Sequence, residues 1–136
     1  MKLNDAVTSI ALALDAIRAS GNVPELQVSG YYNGNPTPPS IDVYPADPFE
    51  FGTAFGVGNT RAYFVVRARV SMADSQAGSV LLLRLLDTED PASVENALAG
   101  IDATVDNTGG VSGFRRYSED LAETLLGCEW RVGMFL

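Results

Sequence analysis

Near the start of the chain, apolar side chains recur every three or four residues, which is the spacing of one helix face. The pattern predicts an amphipathic helix over residues 3–20, with Asn4 or Asp5 placed to cap its start. Gly21 follows where a left-handed C-cap belongs. The core side of this predicted helix consists of Val7, Ile10, Leu14 and Ile17.

Farther along, apolar and polar residues alternate, which is typical of strands. Two short strands over 26–32 and 41–44 flank a turn rich in proline and glycine, and the strongest strand covers 62–71. A long last strand over 126–136 keeps the same alternation to the end of the printed sequence.

Helical spacing returns after the strongest strand. It predicts a helix that has either Ser71 or Asp74 as its N-cap and runs to about Asp87. A short second helix follows, with Asp90 as its N-cap and Pro91 at its first helical position. A brief strand at 103–105 and a C-terminal hairpin whose first strand covers 111–117 complete the predicted elements.

Strands and helices follow one another in separate runs, and this order favours an α+β fold. We expect a mostly antiparallel (mixed) sheet of four to five strands with two or three helices packed on one face. The 136 residues fit a single domain that covers 1–136.

Residues 45–60 form a long loop in this prediction, because their glycines and prolines leave no usable period. Loops of this length are uncommon in compact domains unless they are functional or disordered. The segment carries Phe49, Phe51 and Phe55, and each ring stabilises a protein by about 1.5–3 kcal/mol when it is buried. We therefore expect the loop to dock on another surface, with sister copies of the chain as its partners.

The formal charge of −8 arises from 17 acidic and 9 basic residues. Proteins bind duplex nucleic acid largely through lysine and arginine, and an acidic excess also disfavours an anionic membrane. An acidic surface instead lets DNA pass nearby without binding to it. The sequence has no signal-peptide pattern and no apolar run of about 20 residues, so we expect a soluble protein made in a cytosol.

The chain contains no histidine, which removes Ser–His and Cys–His nucleophile pairs and histidine metal sites. Its single cysteine, Cys128, falls on the apolar side of the last strand, as a small core residue does. Asp87, Glu89 and Asp90 would allow a paired-carboxylate hydrolase. Acids beside a helix start are more simply explained by capping and the helix dipole. We expect no metal, no cofactor and no enzymatic activity.

Basic residues in the strands are candidates for contacts between subunits. Arg67, Arg69 and Arg131 alternate with apolar residues, which places them on the opposite face of the sheet. One interpretation is a solvated polar face. The other is an intersubunit surface on which these side chains meet carboxylates of a neighbour, for instance in the acidic stretch 42–50. Phe135, near an apolar chain end, belongs to the same expected contact surface.

The order of these features resembles the tail-terminator family of long-tailed actinobacterial phages. The N-terminal helix leads through a proline-rich turn to Ile-Asp-Val-Tyr-Pro at 41–45, and the basic strand ends in Ser-Met-Ala-Asp-Ser-Gln-Ala-Gly at 71–78. A leucine-rich helix, Pro-Ala-Ser-Val at 91–94 and Gly-Cys-Glu-Trp-Arg-Val at 127–132 follow in the family's order. The similarity covers nearly the whole chain as an order of elements, without one diagnostic motif. The long proline-rich turn and the lack of a charged C-terminal tail depart from the family's pattern.

The resemblance implies a structural virion protein of the phage tail or neck, with no catalytic residues. Six copies would form a ring that caps the tail tube, stops its polymerisation and joins the tail to the head-closure or connector complex, while DNA passes through the lumen. A head-closure protein, or another neck or minor tail protein, is an alternative with similar fold and charge. A small carboxylate-dependent enzyme and a monomeric domain with an apolar ligand pocket are further alternatives.

Overall fold

The computed structural model describes residues 2–46, 51–53, 60–71, 73, 75–101, 103–106, 115–117 and 125–135. Within these residues the chain forms three helices and seven strands, which confirms the predicted α+β class. The helices are α1 (Leu3–Ala19), α2 (Ser75–Leu86) and α3 (Val94–Leu98). The strands are β1 (Gln27–Ser29), β2 (Ser40–Pro45), β3 (Phe51–Thr53), β4 (Thr60–Ser71), β5 (Ala103–Asp106), β6 (Arg115–Tyr117) and β7 (Leu125–Phe135).

The described strands belong to one mixed sheet with the order β1-β2-β4-β7-β5. β4 and β7 form its antiparallel centre, paired from Arg61 opposite Phe135 to Ser71 opposite Leu125. β3 lies beside the start of β4, β6 lies beside the start of β7, and β1 runs parallel to β2. The apolar character of the last strand is therefore explained by its central place in the sheet.

One face of the sheet is covered by the helices, and we call it the helix face. Rows of buried side chains cross it from β2 through β4 to β7: Ile41, Ala68 and Cys128 in one row, and Val43, Val66 and Trp130 in the next. The helices contribute Ile10 and Leu14 from α1, Leu82 and Leu85 from α2, and Val94 and Leu98 from α3. Full burial of one such side chain is worth about 1.5–3 kcal/mol, so this layer is the main source of stability.

The predicted helix caps are wrong at two N-termini. Lys2 is the N-cap residue of α1 and makes no side-chain cap bond, so Asn4 and Asp5 lie inside the helix. In α3 the Ser93 side chain accepts a hydrogen bond from a backbone N–H three residues later, which makes Ser93 rather than Asp90 the N-cap. Serine and aspartate both cap helices well, so the sequence alone could not show which of Ser93 and Asp90 caps α3.

Part of the segment that we predicted as a loop over 45–60 is a strand. β2 extends to Pro45, and Phe51–Thr53 pair with the start of β4. The loop prediction is wrong for β3 because three residues are too few to show an alternating pattern. Phe49 and Phe55 lie outside the described residues.

Candidate interaction surfaces

The face of the sheet opposite the helix face carries charged side chains, and we call it the arginine face. On this face the strand register sets Arg67 of β4 opposite Asp42 of β2 on one side and Glu129 of β7 on the other. Arg69 lies two residues farther along β4, and it is paired in register with Ser40 of β2. The alternation of β4 predicts this face, but the charges meet only through pairing with distant strands.

Asp42 forms a buried ion pair with both arginines. Its carboxylate accepts hydrogen bonds from Arg67 Nη2 at 2.7 Å, from Arg67 Nε at 3.1 Å and from Arg69 Nη2 at 3.2 Å. The exposed fraction is 1% for Asp42, 3% for Arg67 and 0% for Arg69. Fork-like contacts between a guanidinium group and a carboxylate are strong and geometrically specific. Asp42 therefore ties β2 to β4 in one register.

The chain that follows β1 crosses the arginine face and covers this ion pair. The backbone N–H of Asn33 donates a hydrogen bond to Asp42 Oδ2 at 3.0 Å. Arg69 Nη2 donates in turn to the backbone carbonyl of Asn33 at 2.6 Å. The buried charges thus receive backbone partners as well as each other, which offsets part of the cost of removing them from water.

Two tyrosine rings complete this cover. Tyr32 and Tyr44 meet edge to face with their centroids 5.0 Å apart, and the Arg67 guanidinium lies 4.6 Å and 5.2 Å from the two ring centres. Burial raises the pKa of Tyr44 to about 12, although the charge of Arg67 acts in the opposite direction. Burial lowers the pKa of Arg67, but the hydrogen bonds and charge of Asp42 outweigh it, so the pKa lies above its usual range.

A second group of arginine and tyrosine side chains lies on the same face, toward the start of β4. The Tyr63 ring centre is 4.9 Å from the Arg61 guanidinium and 4.3 Å from that of Arg131. Arg61 Nη2 also donates to Thr104 Oγ1 at 2.8 Å, so this side chain passes over Gly133 of β7. A Cβ atom at position 133 would lie 2.8 Å from Arg61 Nη2, so a larger residue there would displace the end of the Arg61 side chain.

These positions correct the predictions for two of the three arginines. Arg67 and Arg69 do not lie on a solvated face, because the chain after β1 covers them. They also do not point to a neighbour's carboxylate, because the acid they bind is Asp42 of their own chain. Arg131 is half-buried and keeps its predicted place on the arginine face. Arg61 was not among the predicted contact residues, because the strand was expected to begin at Ala62.

The outer side of α2 forms an apolar stripe. The sequence of this helix, SQAGSVLLLRLL, contains a single charged residue, Arg84. Leu82 and Leu85 are buried in the core, whereas Val80 is 53% exposed and Leu83 is 54% exposed. Beside Val80 a groove of about 650 Å³ opens between α2, the end of β4 and a proline turn, and we call it the α2 groove. Its apolar lining includes Pro38, Pro39, Val70, Ala77, Val80 and Leu81.

A second groove, of about 510 Å³, lies at the first turns of α1. Val7 and Tyr44 line it, together with Tyr31, which is 64% exposed. Both grooves are open clefts at the protein surface, and both are lined largely by apolar side chains.

The described carboxylates at residues 87–90 shape a turn. Asp87 Oδ1 accepts a hydrogen bond from the N–H of Glu89 at 2.9 Å, and Asp90 Oδ1 accepts one from the N–H of Ala92 at 2.8 Å. This backbone bond, together with Arg84, lowers the pKa of Asp90. Across the described ranges, no three His, Cys, Asp or Glu side chains come together as a metal site would require.

Cys128 lies in the core on the helix face. Burial, and secondarily the charge of Glu129, raises the pKa of its thiol to about 12. Because the thiolate is the nucleophilic form of cysteine, this side chain is suited to packing rather than to covalent chemistry.

The remaining predicted contact residues are aromatic. Phe51 opens β3 opposite Ala62, and Phe135 ends β7 opposite Arg61. Phe49 and Phe55 lie outside the described part of the chain. For all four residues, a role in contacts between subunits stays a prediction.

The features that stand out are therefore a covered ion pair, an arginine–tyrosine group and an apolar groove. None of the helices in the described residues is long and apolar enough to cross a membrane. Compared with known proteins, the sequence matches no protein family and no curated protein.

Proposed function

We propose that this protein is the tail terminator of a long-tailed bacteriophage, a structural subunit that works by packing against copies of itself. Six copies form a ring that caps the tail tube, stops its polymerisation and joins the tail to the head-closure or connector complex. DNA passes through the ring without specific binding. The subunit acts by shape and contact, with no catalytic residue and no cofactor.

The outer side of α2 is the observation that carries this proposal. The second half of α2 is mostly apolar, and apolar helix surface is normally buried, yet Val80 and Leu83 are each about half exposed. Each would gain roughly 1 kcal/mol from complete burial at a contact. Exposed apolar surface beside a groove is typical of sites where proteins meet.

The buried ion pair supports a structural role in a different way. A ring closes only if each subunit presents its two contact surfaces at a constant angle. Asp42 binds Arg67 and Arg69 across two strands, and the chain after β1 is hydrogen-bonded over them. This arrangement resists slippage between β2 and β4, so the sheet is suited to act as a rigid body.

The charge balance agrees with a ring around DNA. A net charge of −8 disfavours binding to phosphates, which would slow the passage of DNA through the ring. The proposed role needs a lumen that DNA can traverse, and an acidic subunit meets that need.

The mass of the assembled protein tests the proposal directly. Native mass spectrometry should find a species of six times 14.5 kDa, alone or after addition of tail-tube protein, and negative-stain images should show rings. Mixed with polymerising tail-tube protein, it should bind one end of each tube and limit tube length. A protein that stays monomeric under all these conditions and leaves tube length unchanged would contradict the proposal. Binding to connector rings without binding to tubes would instead identify a head-closure protein.

A further inference from the structure

The chain that crosses the arginine face covers one end of it and leaves the other end partly exposed. Asn33 is hydrogen-bonded over the ion pair of Asp42 and Arg69. Toward the start of β4, four side chains of this face are partly exposed, and we call them the open end: Arg61, Tyr63, Val65 and Arg131. Tyrosine and arginine are enriched among the residues that dominate the energy of protein interfaces. The open end therefore offers an apolar centre flanked by two guanidinium groups.

The arginine face is positive in a molecule that is acidic as a whole. The strand register assigns five arginines and three acids to it: Arg61, Arg67, Arg69, Arg115 and Arg131, with Asp42, Asp106 and Glu129. Five positive and three negative charges give this face +2, whereas the chain carries −8. Because opposite potentials meet across protein contacts, an acidic surface is the matching partner for the open end.

The outer side of α2 ends in such an acidic surface. Val80 and Leu83 are about half exposed, and Asp87, whose N–H bonds to the Leu83 carbonyl, continues the same side of the helix. Asp87 and Glu89 are both exposed. Residues 84–95 contain one arginine and four acids, which gives this stretch a net charge of −3. The outer side of α2 thus combines exposed apolar side chains with an acidic end.

We infer that the outer side of α2 in one subunit packs on the open end of the arginine face in a second copy, with Asp87 and Glu89 against Arg61 and Arg131. This inference rests on the self-assembly proposed above and names its two surfaces. The helices and the arginine face lie on opposite sides of the sheet, so each subunit offers a different surface to each of two neighbours. Such a head-to-tail contact, repeated from copy to copy, generates a ring when the rotation closes.

The two surfaces agree in length. A helix advances 1.5 Å per residue, so the outer side of α2 from Val80 to Asp87 spans about 10 Å. A strand rises about 3.3 Å per residue, so β4 from Arg61 to Val65 spans about 13 Å. A neighbour's helix on this end of the sheet would complete a layered arrangement of the kind that domains use to cover both faces of a sheet.

The contacts that the open end makes within its own subunit are compatible with this partner. Arg61 donates to Thr104 Oγ1, and both Arg61 and Arg131 lie against the Tyr63 ring. A guanidinium group carries five N–H donors in one plane. It can therefore stack on an aromatic ring and still bind a carboxylate at its edge.

Two leucines on different helices form a matched test. Leu83 is 54% exposed on α2, and Leu12 is 67% exposed on α1. In sedimentation or mass photometry, Leu83→Asp should raise the concentration needed for half-assembly by at least about tenfold, as loss of an interface anchor does. Leu12→Asp should change it by less than about threefold. Circular dichroism should show that both variants are folded.

Exchange of charges tests the pairing of the two surfaces. Glu89→Arg places a cation against the open end, and Arg131→Glu places an acid against the acidic end of α2. Each should raise the half-assembly concentration by at least about tenfold, because like charges then meet across the contact. The double variant, Glu89→Arg with Arg131→Glu, should return to within about threefold of the wild type. Asp5→Arg, which makes the same charge change at an exposed position on α1, should have little effect.

The outcomes separate this inference from the proposed function. If wild-type rings form but the two aspartate variants assemble alike and the double charge variant is not rescued, the inferred contact is wrong and the terminator proposal stands. If the variants behave as expected but the rings do not cap tail tubes, the contact stands and the proposed function fails. If the wild type does not assemble at all, both fail.

Discussion

Replacement of Asp42 by asparagine removes one negative charge from the arginine face and replaces one acceptor oxygen by an amide group that can only donate. The carboxylate accepts hydrogen bonds from Arg67, from Arg69 and from the Asn33 N–H. Asparagine has nearly the same shape, so the substitution leaves no cavity. It leaves two guanidinium groups that are 3% and 0% exposed without this compensating charge.

The expected cost follows from this burial. Loss of one partner from a buried ion pair costs about 3–5 kcal/mol, because the remaining charge stays out of water. A protein of 136 residues has a total stability of roughly 7–20 kcal/mol at the usual 0.05–0.15 kcal/mol per residue. Asp42→Asn should therefore remove a large share of the stability and still allow folding.

Urea unfolding provides the assay. The only tryptophan, Trp130, is 4% exposed and lies on the central strand β7, so its fluorescence reports loss of the core. With an m-value of about 2 kcal/mol/M, the midpoint should fall by about 1.5–2.5 M. An unchanged m-value would show that the effect is on stability rather than on cooperativity.

Asp15→Asn is the matched control. Asp15 forms the same two-pronged contact with Arg18, through hydrogen bonds of 2.8 Å each, but the side chains are 35% and 45% exposed. Exposed pairs of this kind contribute about 0–1 kcal/mol. If Asp42→Asn shifts the midpoint no more than Asp15→Asn does, the ion pair on the arginine face is not buried as described and the reasoning above is refuted.

Two further predictions concern groups with raised pKa values. Because burial raises the pKa of Tyr44 to about 12 from an ordinary value near 10, the neutral phenol stabilises the fold fully below pH 10, and this contribution is lost as the pH rises toward 12. Ultraviolet titration of tyrosinate should show a late-titrating group, and Tyr44→Phe should remove it and flatten the loss of stability at high pH. An unaltered titration curve would assign the late group elsewhere. Since burial raises the pKa of Cys128 to about 12, a disulfide reagent at pH 8 should modify this single thiol only as fast as the protein unfolds, and rapid reaction in the absence of urea would show that the thiol is accessible.

Patterns within a single strand were sufficient to predict which residues share a face. The alternation along β4 separates Phe64 and Val66 from Arg67 and Arg69, and the structure keeps that division. The predicted α+β class follows from the same local patterns, because each element had to bury its apolar side against another layer.

Pairing between distant strands was the part that local patterns could not predict. Asp42 and Arg67 are 25 residues apart, and alternation does not specify which residue of one strand faces which residue of the next. Polar side chains are usually exposed, so the arginines were expected in solvent or at a neighbour. Their burial depends on the chain around Asn33, which crosses the sheet. The proline-rich sequence of this turn did not predict that crossing.

The burial of two arginines also changes how the net charge should be understood. The whole chain carries −8, and the buried group of Arg67, Arg69 and Asp42 contributes +1 to that sum. All other residues together therefore carry a net charge of −9. Arginines that could have gripped phosphate are used to hold β2, β4 and the crossing chain together. This burial favours the proposed ring. The arginines that make the subunit rigid cannot contact passing DNA, and the charge outside the buried group is more negative than the composition alone indicates.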